Sequence, residues 1–391
     1  YQNAGSIYEN IMPLPQGGFT YRPGSRFIAA AQSSSVREWL IPFIFSTIQS
    51  YVCGLGANKM RFFKDQALII GDSSSVAASI TNGTFNNDVS SWTARTGSVS
   101  HTTDGGGRMR IANSTAVHQS FDYTGATVFA PKTVVLGFSI FGNPGDTLTV
   151  RAGTSAGGAT LLSDTERKVG HHLIEFEVSA DHTAAGSDPI FFEFENSSGK
   201  TIDIDNVVIY DGTTIELTTP YSEADQPNIS YAQSADVMYM AIGGATHVYR
   251  LDRFGHASWS LTEVLFTDGP FLDENTTGTT MSVNTATGVG RTLTASAVAG
   301  INDGAGFLST DVGRLVRAKN TDNKYVYGQI TAVGSTTSAT FDILSSVGFP
   351  TAGTTEWRLG EWNDADGWPS VVSFIQQRLT LAATDRDPQK F

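Results

Sequence analysis

Short apolar runs separated by glycine turns dominate residues 229–271, and this pattern most narrowly limits the fold. Val237-Met238-Tyr239-Met240-Ala241-Ile242 meets a Gly243-Gly244 turn and continues as Thr246-His247-Val248-Tyr249-Arg250-Leu251. A second turn at Arg253-Phe254-Gly255 leads into Trp259-Ser260-Leu261. Runs of this length between such turns are read as β-hairpins. The pattern recurs at Tyr51-Val52-Cys53-Gly54-Leu55, which turns through Gly56-Ala57-Asn58 into Lys59-Met60-Arg61-Phe62-Phe63. A third, incomplete copy starts at Gln377-Arg378-Leu379-Thr380-Leu381, with a turn at Asp385-Arg386-Asp387-Pro388. The repetition predicts an all-β chain with a propeller-like or multi-hairpin domain.

At 391 residues the chain is too long for one ordinary core. Its 40 Gly against 13 Pro, with abundant Thr, Ser and Val, favours folded β structure over disorder. A formal charge of −13 argues against a surface that grips nucleic acid, which needs clustered Lys and Arg. It is compatible with a surface that DNA slides past. The single cysteine, Cys53, excludes an intramolecular disulfide framework and is read as a small buried residue. No run reaches the ~18 apolar residues of a membrane helix, and Tyr1-Gln2-Asn3-Ala4 lacks a charged-then-apolar pattern, so no membrane insertion is expected. The sequence stops at Lys390-Phe391 within a hairpin pattern, which reads as the front part of a longer protein.

Five segments follow. Residues 1–78 and 213–275 read as two parts of one hairpin domain. Between them, 79–212 reads as an inserted β-sandwich, with strands expected near 116–123, 133–141, 147–151, 172–178 and 189–195. The insertion fits the rule that the ends of compact domains often lie close together. Residues 276–360 read as a small β-barrel and 361–391 as the start of a further, truncated blade. The ends of the insertion, Thr81-Asn82-Gly83-Thr84-Phe85-Asn86 with Trp92 and Ile202-Asp203-Ile204-Asp205-Asn206-Val207, resemble the jelly-roll carbohydrate-binding modules. That resemblance implies a glycan surface, for which Trp92, Phe121 and Tyr123 are the aromatic candidates. It also implies a structural calcium near the ends, for which Asp205 is the candidate, with Asn86 where the family often has an acid. No other cofactor is expected.

Outside the insertion, short pieces resemble the nozzle proteins of short-tailed bacteriophages, the tail tubular protein B family. They are Arg22-Pro23-Gly24-Ser25-Arg26-Phe27, Ile41-Pro42-Phe43-Ile44-Phe45, Arg61-Phe62-Phe63-Lys64, Tyr231-Ala232-Gln233-Ser234-Ala235-Asp236, Leu251-Asp252-Arg253, Asp268-Gly269-Pro270, Gly367-Trp368-Pro369-Ser370 and Gln377-Arg378-Leu379. The resemblance implies a virion protein assembled in the host cytoplasm, a homohexameric tube below the head-tail adaptor. It would neighbour tail fibres or spikes, and viral DNA would pass through it. Ring interfaces are expected at the Arg22-Pro23-Gly24 loop and near Asp268-Gly269-Pro270. Asp225, Asp236, Glu263, Asp268 and Asp311 are the candidates for an acidic channel wall. Arg314, Arg317 and Lys319 are the residues that would instead make a DNA-retaining collar.

Two rival classes remain: a virion-borne receptor for host surface glycan, and a depolymerase. Chemistry for the second is sparse. No Gly-x-Ser-x-Gly elbow, phosphate loop or His-Glu-x-x-His is present, and no enzyme is expected. His171-His172 point to opposite faces of a strand and cannot chelate one ion alone. Asp203 with Asp205, and Glu193 with Glu195, share strand faces at which paired carboxylates are read as solvated rather than catalytic. Gly105-Gly106-Gly107 has no following helix and reads as a turn.

Overall fold

The computed structural model describes residues 9–22, 24–46, 49–72, 80–122, 132–178 and 189–389. The protein is all-β: the described residues hold strands and short 3-10 turns. No helix among them is long and apolar enough to cross a membrane.

The architecture is three sheets deep. A five-stranded sheet runs in the order Leu162–Lys168, Thr147–Gly153, Pro189–Asn196, Thr115–Asp122, Thr93–Thr96. It packs on one face of a nine-stranded sheet, and alternation along the strands sends Phe121, Phe138, Phe192, Phe194 and Ile204 into the space between. Trp92 sits at the centre of this first core, edge-on to Phe192 at 5.5 Å. The opposite face of the nine-stranded sheet presents Val135 and Leu173 to a third sheet, ordered Glu216–Thr218, Lys59–Lys64, Ser50–Gly56, Trp39–Ile44. Trp259 anchors this second core. It is fully buried, stacked on Phe62 at 4.2 Å, with Phe43 and Tyr51 edge-on at 5.0 and 5.3 Å.

The nine-stranded sheet is where the structure departs from the expected organisation. The insertion is not a module tethered only by its ends. Its strand Gly170–Val178 pairs with Trp259–Glu263 of the hairpin domain, in the register Gly170↔Thr262 to Leu173↔Trp259. The meander Ser230–Ser234, Val237–Ala241, Tyr249–Arg253, Trp259–Glu263 therefore runs straight on into Gly170–Val178, Lys132–Phe141 and Ile202–Tyr210. The hairpins of residues 230–263 are one continuous sheet with the sandwich rather than a separate blade. The physical reason is edge satisfaction. Trp259–Glu263 and Gly170–Val178 would each expose a row of unpaired N–H and C=O groups, and pairing removes both edges.

Residues 281–359 form a six-stranded sheet, ordered Met281–Val283, Arg291–Ala295, Ser338–Ile343, Tyr325–Ser335, Leu315–Lys319, Trp357–Leu359. Its ends are brought together. Met281 and Thr354 exchange both backbone bonds, at 2.9 and 3.1 Å, while the same stretch of chain continues into Trp357–Leu359. Inside lie Val316, Ile330, Phe341, Phe349 and Trp357, all buried. The last unit is a hairpin, Val371–Ile375 with Arg378–Ala382. Its turn is Gln376-Gln377, both left-handed at φ 48° and 66°. Gln is not a usual turn residue, so the sequence pattern opened a strand where the turn lies.

Charged ties fix these units to each other. Lys200 of the sandwich reaches Asp146 at 2.6 Å and Asp342 of the barrel at 2.5 Å. Burial alone would lower the pKa of this ammonium, but the two carboxylates raise it. Arg314 is buried and bonds the Gly360 carbonyl, Asn302 and Asp311 at 2.7–2.8 Å, with Asp366 of the terminal segment at 3.5 Å.

Two outcomes test the shared sheet. Replacing 79–212 with a short Gly-Ser linker removes both Leu173 and the strand that covers Trp259–Glu263. The deletion protein is expected to lose its cooperative denaturant transition. A sharp transition of the remainder would show the hairpin domain to be self-sufficient. Trp259→Ala in the full chain is expected to cost about 3–5 kcal/mol in urea unfolding, and a cost within about 0.5 kcal/mol, the range of surface substitutions, would contradict the assigned core position.

Candidate assembly surface

The third sheet has a covered face and a bare one. Along Trp39–Ile44, Ile41 and Phe43 point into the second core, so Leu40, Pro42 and Ile44 point outward by the period of a strand. Leu40 is 60% exposed and Ile44 61%. On the neighbouring strand Val52, paired with Pro42, faces the same way. The extended segment before this strand adds Phe27, 80% exposed, and Ile28. Together they border an open groove of about 830 Å³. Trp39–Ile44 is also the last strand of its sheet among the described residues; on its outer side Ile44 donates its N–H to Gln233 Oε1 at 2.9 Å, and Pro42 has no N–H to offer. The bare face lies on the strand at the sheet's edge.

A rigid frame holds this surface. Glu38 and Arg61 form a largely buried ion pair at 2.7 Å, and Arg61 also donates to the Ala30 carbonyl at 3.0 Å, which pins the extended segment to the sheet. Arg26 donates to Gln66 at 2.9 Å across the groove mouth. Contiguous exposed apolar surface marks an interaction site. The signal was present in Trp39-Leu40-Ile41-Pro42-Phe43-Ile44-Phe45, which is apolar at both parities. A strand with one wet face alternates; this one does not.

The aromatics expected to meet glycan fall elsewhere. Trp92 and Phe121 are 7% and 5% exposed and belong to the sandwich core. The Trp92 indole N–H is spent on the Asn82 carbonyl at 3.1 Å. Both are therefore corrected from surface to core: the interior of a two-sheet sandwich needs large flat side chains. Tyr123 lies outside the described residues. Asp205 accepts the Asn206 backbone N–H at 2.7 Å and its amide at 3.2 Å, and burial raises its pKa. Among the described residues no three His, Cys, Asp or Glu side chains are grouped to hold a metal.

The acidic candidates separate. Asp311 is buried, bonded to Arg314 and to the Leu308 N–H, so it faces no channel. Its partner Arg314 is likewise buried and forms no collar. Asp236 pairs with Arg253 at 2.7 Å, and Asp225 caps the Ser222 turn at 2.7 Å. Glu263 accepts from the Tyr249 hydroxyl at 3.1 Å and lies 3.4 Å from His247. Asp268 is the most exposed of the set, 3.9 Å from Arg317, whose guanidinium stacks on Tyr325. Lys319 pairs with Glu356. In the expected loop interface Arg22 donates its backbone N–H to Asn10, and Pro23 lies outside the described residues.

Residues with catalytic character are tied down. Glu193 is held by Arg95 at 2.7 Å and Arg151 at 3.1 Å, and Glu195 by Arg151 at 2.5 Å. Asp203 is held by Arg110 at 2.9 Å. His171 and His172 do face opposite ways. His172 Nε2–H donates to the Lys168 carbonyl at 2.7 Å, which leaves Nδ1 to accept from Ser260 at 2.8 Å. His171 Nδ1 meets the Ser139 hydroxyl at 2.8 Å. Burial, with Lys59 and Arg108 nearby, lowers His171 to about 4, and burial lowers His172 to about 3. A base with a pKa near 4 gives a serine hydroxyl little help at neutral pH.

No protein-family model and no curated relative matches the chain. Among solved structures it is similar to the N-terminal CBM22-1-CBM22-2 tandem domain of Paenibacillus barcinonensis Xyn10C, at 12% identity and a TM-score of 0.25, over 74% of this chain and 89% of that one.

The two histidines generate a pH prediction. Both are neutral when folded, with values below the ordinary ~6.5, so below that pH the unfolded chain binds more protons. Stability is then lost as pH falls, by about 1.4 kcal/mol per unit for each histidine between about pH 6.5 and the folded values. Urea midpoints across this range are expected to slope less in the His171→Gln/His172→Gln protein. Equal slopes would place the titration elsewhere.

Proposed function

We propose that the chain is a wall subunit of a bacteriophage tail nozzle, a ring-forming structural protein rather than an enzyme. The observation that carries the reading is the bare apolar face of the third sheet, on its edge strand Trp39–Ile44. A second copy of this chain is its proposed occupant. Closed rings need two different complementary patches on each subunit. The protein offers a second exposed apolar site at the terminal hairpin, where Val371 and Ile375 are 45% and 56% exposed. The ordered sequence pieces that resemble the nozzle family include Ile41-Pro42-Phe43-Ile44-Phe45, the stretch that builds the bare face. In this reading the head-tail adaptor and the tail fibres or spikes are neighbours along the tail, and the virion is the site of action.

The mechanism is mechanical and electrostatic. Three packed sheets and a small barrel make a stiff wall. The −13 charge keeps DNA from adhering while it passes, since every cationic contact adds salt-dependent affinity for phosphate. Asp268 is the acidic candidate best placed to act on passing DNA, and Arg317 beside it is already engaged by an aromatic ring.

Native mass spectrometry of the wild type is expected to show a closed oligomer, most simply six copies, whose population rises with protein concentration. Leu40→Asp with Ile44→Asp is expected to shift it to monomer while unfolding changes by no more than about 0.5 kcal/mol, as for surface sites. A wild type that stays monomeric at all concentrations, or a variant that assembles as before, would overturn the reading. Assembled protein is further expected to leave linear duplex DNA unretarded in a gel at ordinary salt; retention would indicate a gripping collar instead.

A further inference from the structure

A cleft of about 520 Å³ lies on the outer face of the nine-stranded sheet, where the third sheet meets it. Its volume falls in the range of small-molecule sites. Its floor is a break in strand pairing: between Gly137 and Ser139 the register with Ile202–Tyr210 shifts, and Asn206 takes a left-handed φ of 55°. Bulges of this kind re-aim side chains and cluster next to functional sites. Gly137 keeps the floor low, because a Cβ there would come within 2.9 Å of the Tyr210 ring.

The polar groups around the cleft are incompletely used. Lys59 is half-buried, yet its Nζ has one hydrogen-bond partner among the described residues, Thr218 Oγ1 at 3.0 Å, and no carboxylate at ion-pair distance. An ammonium has three N–H donors. Burial lowers the pKa of Lys59, with Glu216 and Asp205 acting through space to raise it. Those carboxylates are near enough to be felt and too far to touch. Ser139 stands between Asp205 and His171 as direct cross-strand neighbour of both. On the other side Ile80, Val208 and Tyr210 supply apolar surface.

We propose that this cleft binds a neutral polyhydroxylated ring, a sugar residue, with Lys59 and the amide oxygen of Asn206, whose Nδ2 already donates to Asp205, as its principal polar contacts. A hydroxyl accepts from Lys59 and at the same time donates to Glu216, the acid that lines the cleft. A carboxylate or phosphate also accepts from Lys59, but it meets Glu216 with like charge. The apolar side suits the C–H face of a pyranose. This site differs from the one built on Trp92 and Phe121, and it stands whether or not the chain forms a ring.

Ligand-observed saturation-transfer NMR on the full chain tests it, with D-glucose, D-galactose and N-acetyl-D-glucosamine, their trisaccharides, and D-glucuronate as the anionic probe. At least one neutral sugar is expected to receive saturation, with glucuronate weaker. A free sugar and the end of a glycan chain are distinguished by whether the monosaccharide or the trisaccharide responds more strongly. Lys59→Met keeps the aliphatic stem, and Asn206→Gly keeps the left-handed backbone. Each is expected to weaken binding at least tenfold with an unchanged melting temperature. The proposal is overturned if no probe responds, if glucuronate alone responds, or if binding survives in both folded variants. Should Lys59→Met fail to fold, Asn206→Gly alone decides.

Discussion

The pairing of Gly170–Leu173 with Trp259–Thr262 is the contact on which the rest of this molecule depends. It makes one nine-stranded sheet out of what would otherwise be two sheets with open edges. Because that sheet is covered on both faces, its strands carry apolar residues at both parities: Ile174 and Phe176 serve the sandwich core, and Leu173 serves the second core. Trp259 stands at the seam, packed against Phe62, Phe43 and Tyr51 of the third sheet.

The remaining units hang on this body by buried charge. Lys200 joins sandwich to barrel, and Arg314 joins barrel to the terminal segment. Both satisfy their donors with several acceptors, which is the condition for a buried cation to be tolerated. His247, stacked on Trp368 at 3.9 Å, adds an aromatic contact between the hairpin sheet and the same terminal segment. These ties favour a stiff subunit. The apolar face of the third sheet around Leu40 and Ile44 stays exposed.

Much of the fold was legible because strand period and turn residues are local signals. The strands at 115–122, 132–141, 170–178 and 189–196 lie within a few residues of the expected ranges. What was not legible was long-range. Nothing local in Trp259–Glu263 says that it pairs with a strand about ninety residues earlier. Leu162–Lys168 was missed because an edge strand with a charged face, Asp164-Thr165-Glu166-Arg167, reads as loop. The site was less legible than the fold. Trp92 and Phe121 were sought at the surface because aromatic type does not encode exposure, and their depth follows from the sandwich closing over them. Arg314 and Asp311, both charged, were expected outside, and only their mutual bond lets them be inside. The bare face, by contrast, was written in Trp39–Phe45 as a run without polar alternation.

The central claim is that this face is the surface a second copy covers. Hydrogen exchange resolves it peptide by peptide. Residues 39–45 and 50–56 are to be compared in dilute monomer and in the concentrated assembly, with Arg291–Ala295 of the barrel as internal reference. The account predicts slowed exchange at the edge strand 39–45 on assembly and no change at the reference. Unchanged exchange at 39–45 in a particle that has demonstrably assembled would contradict it.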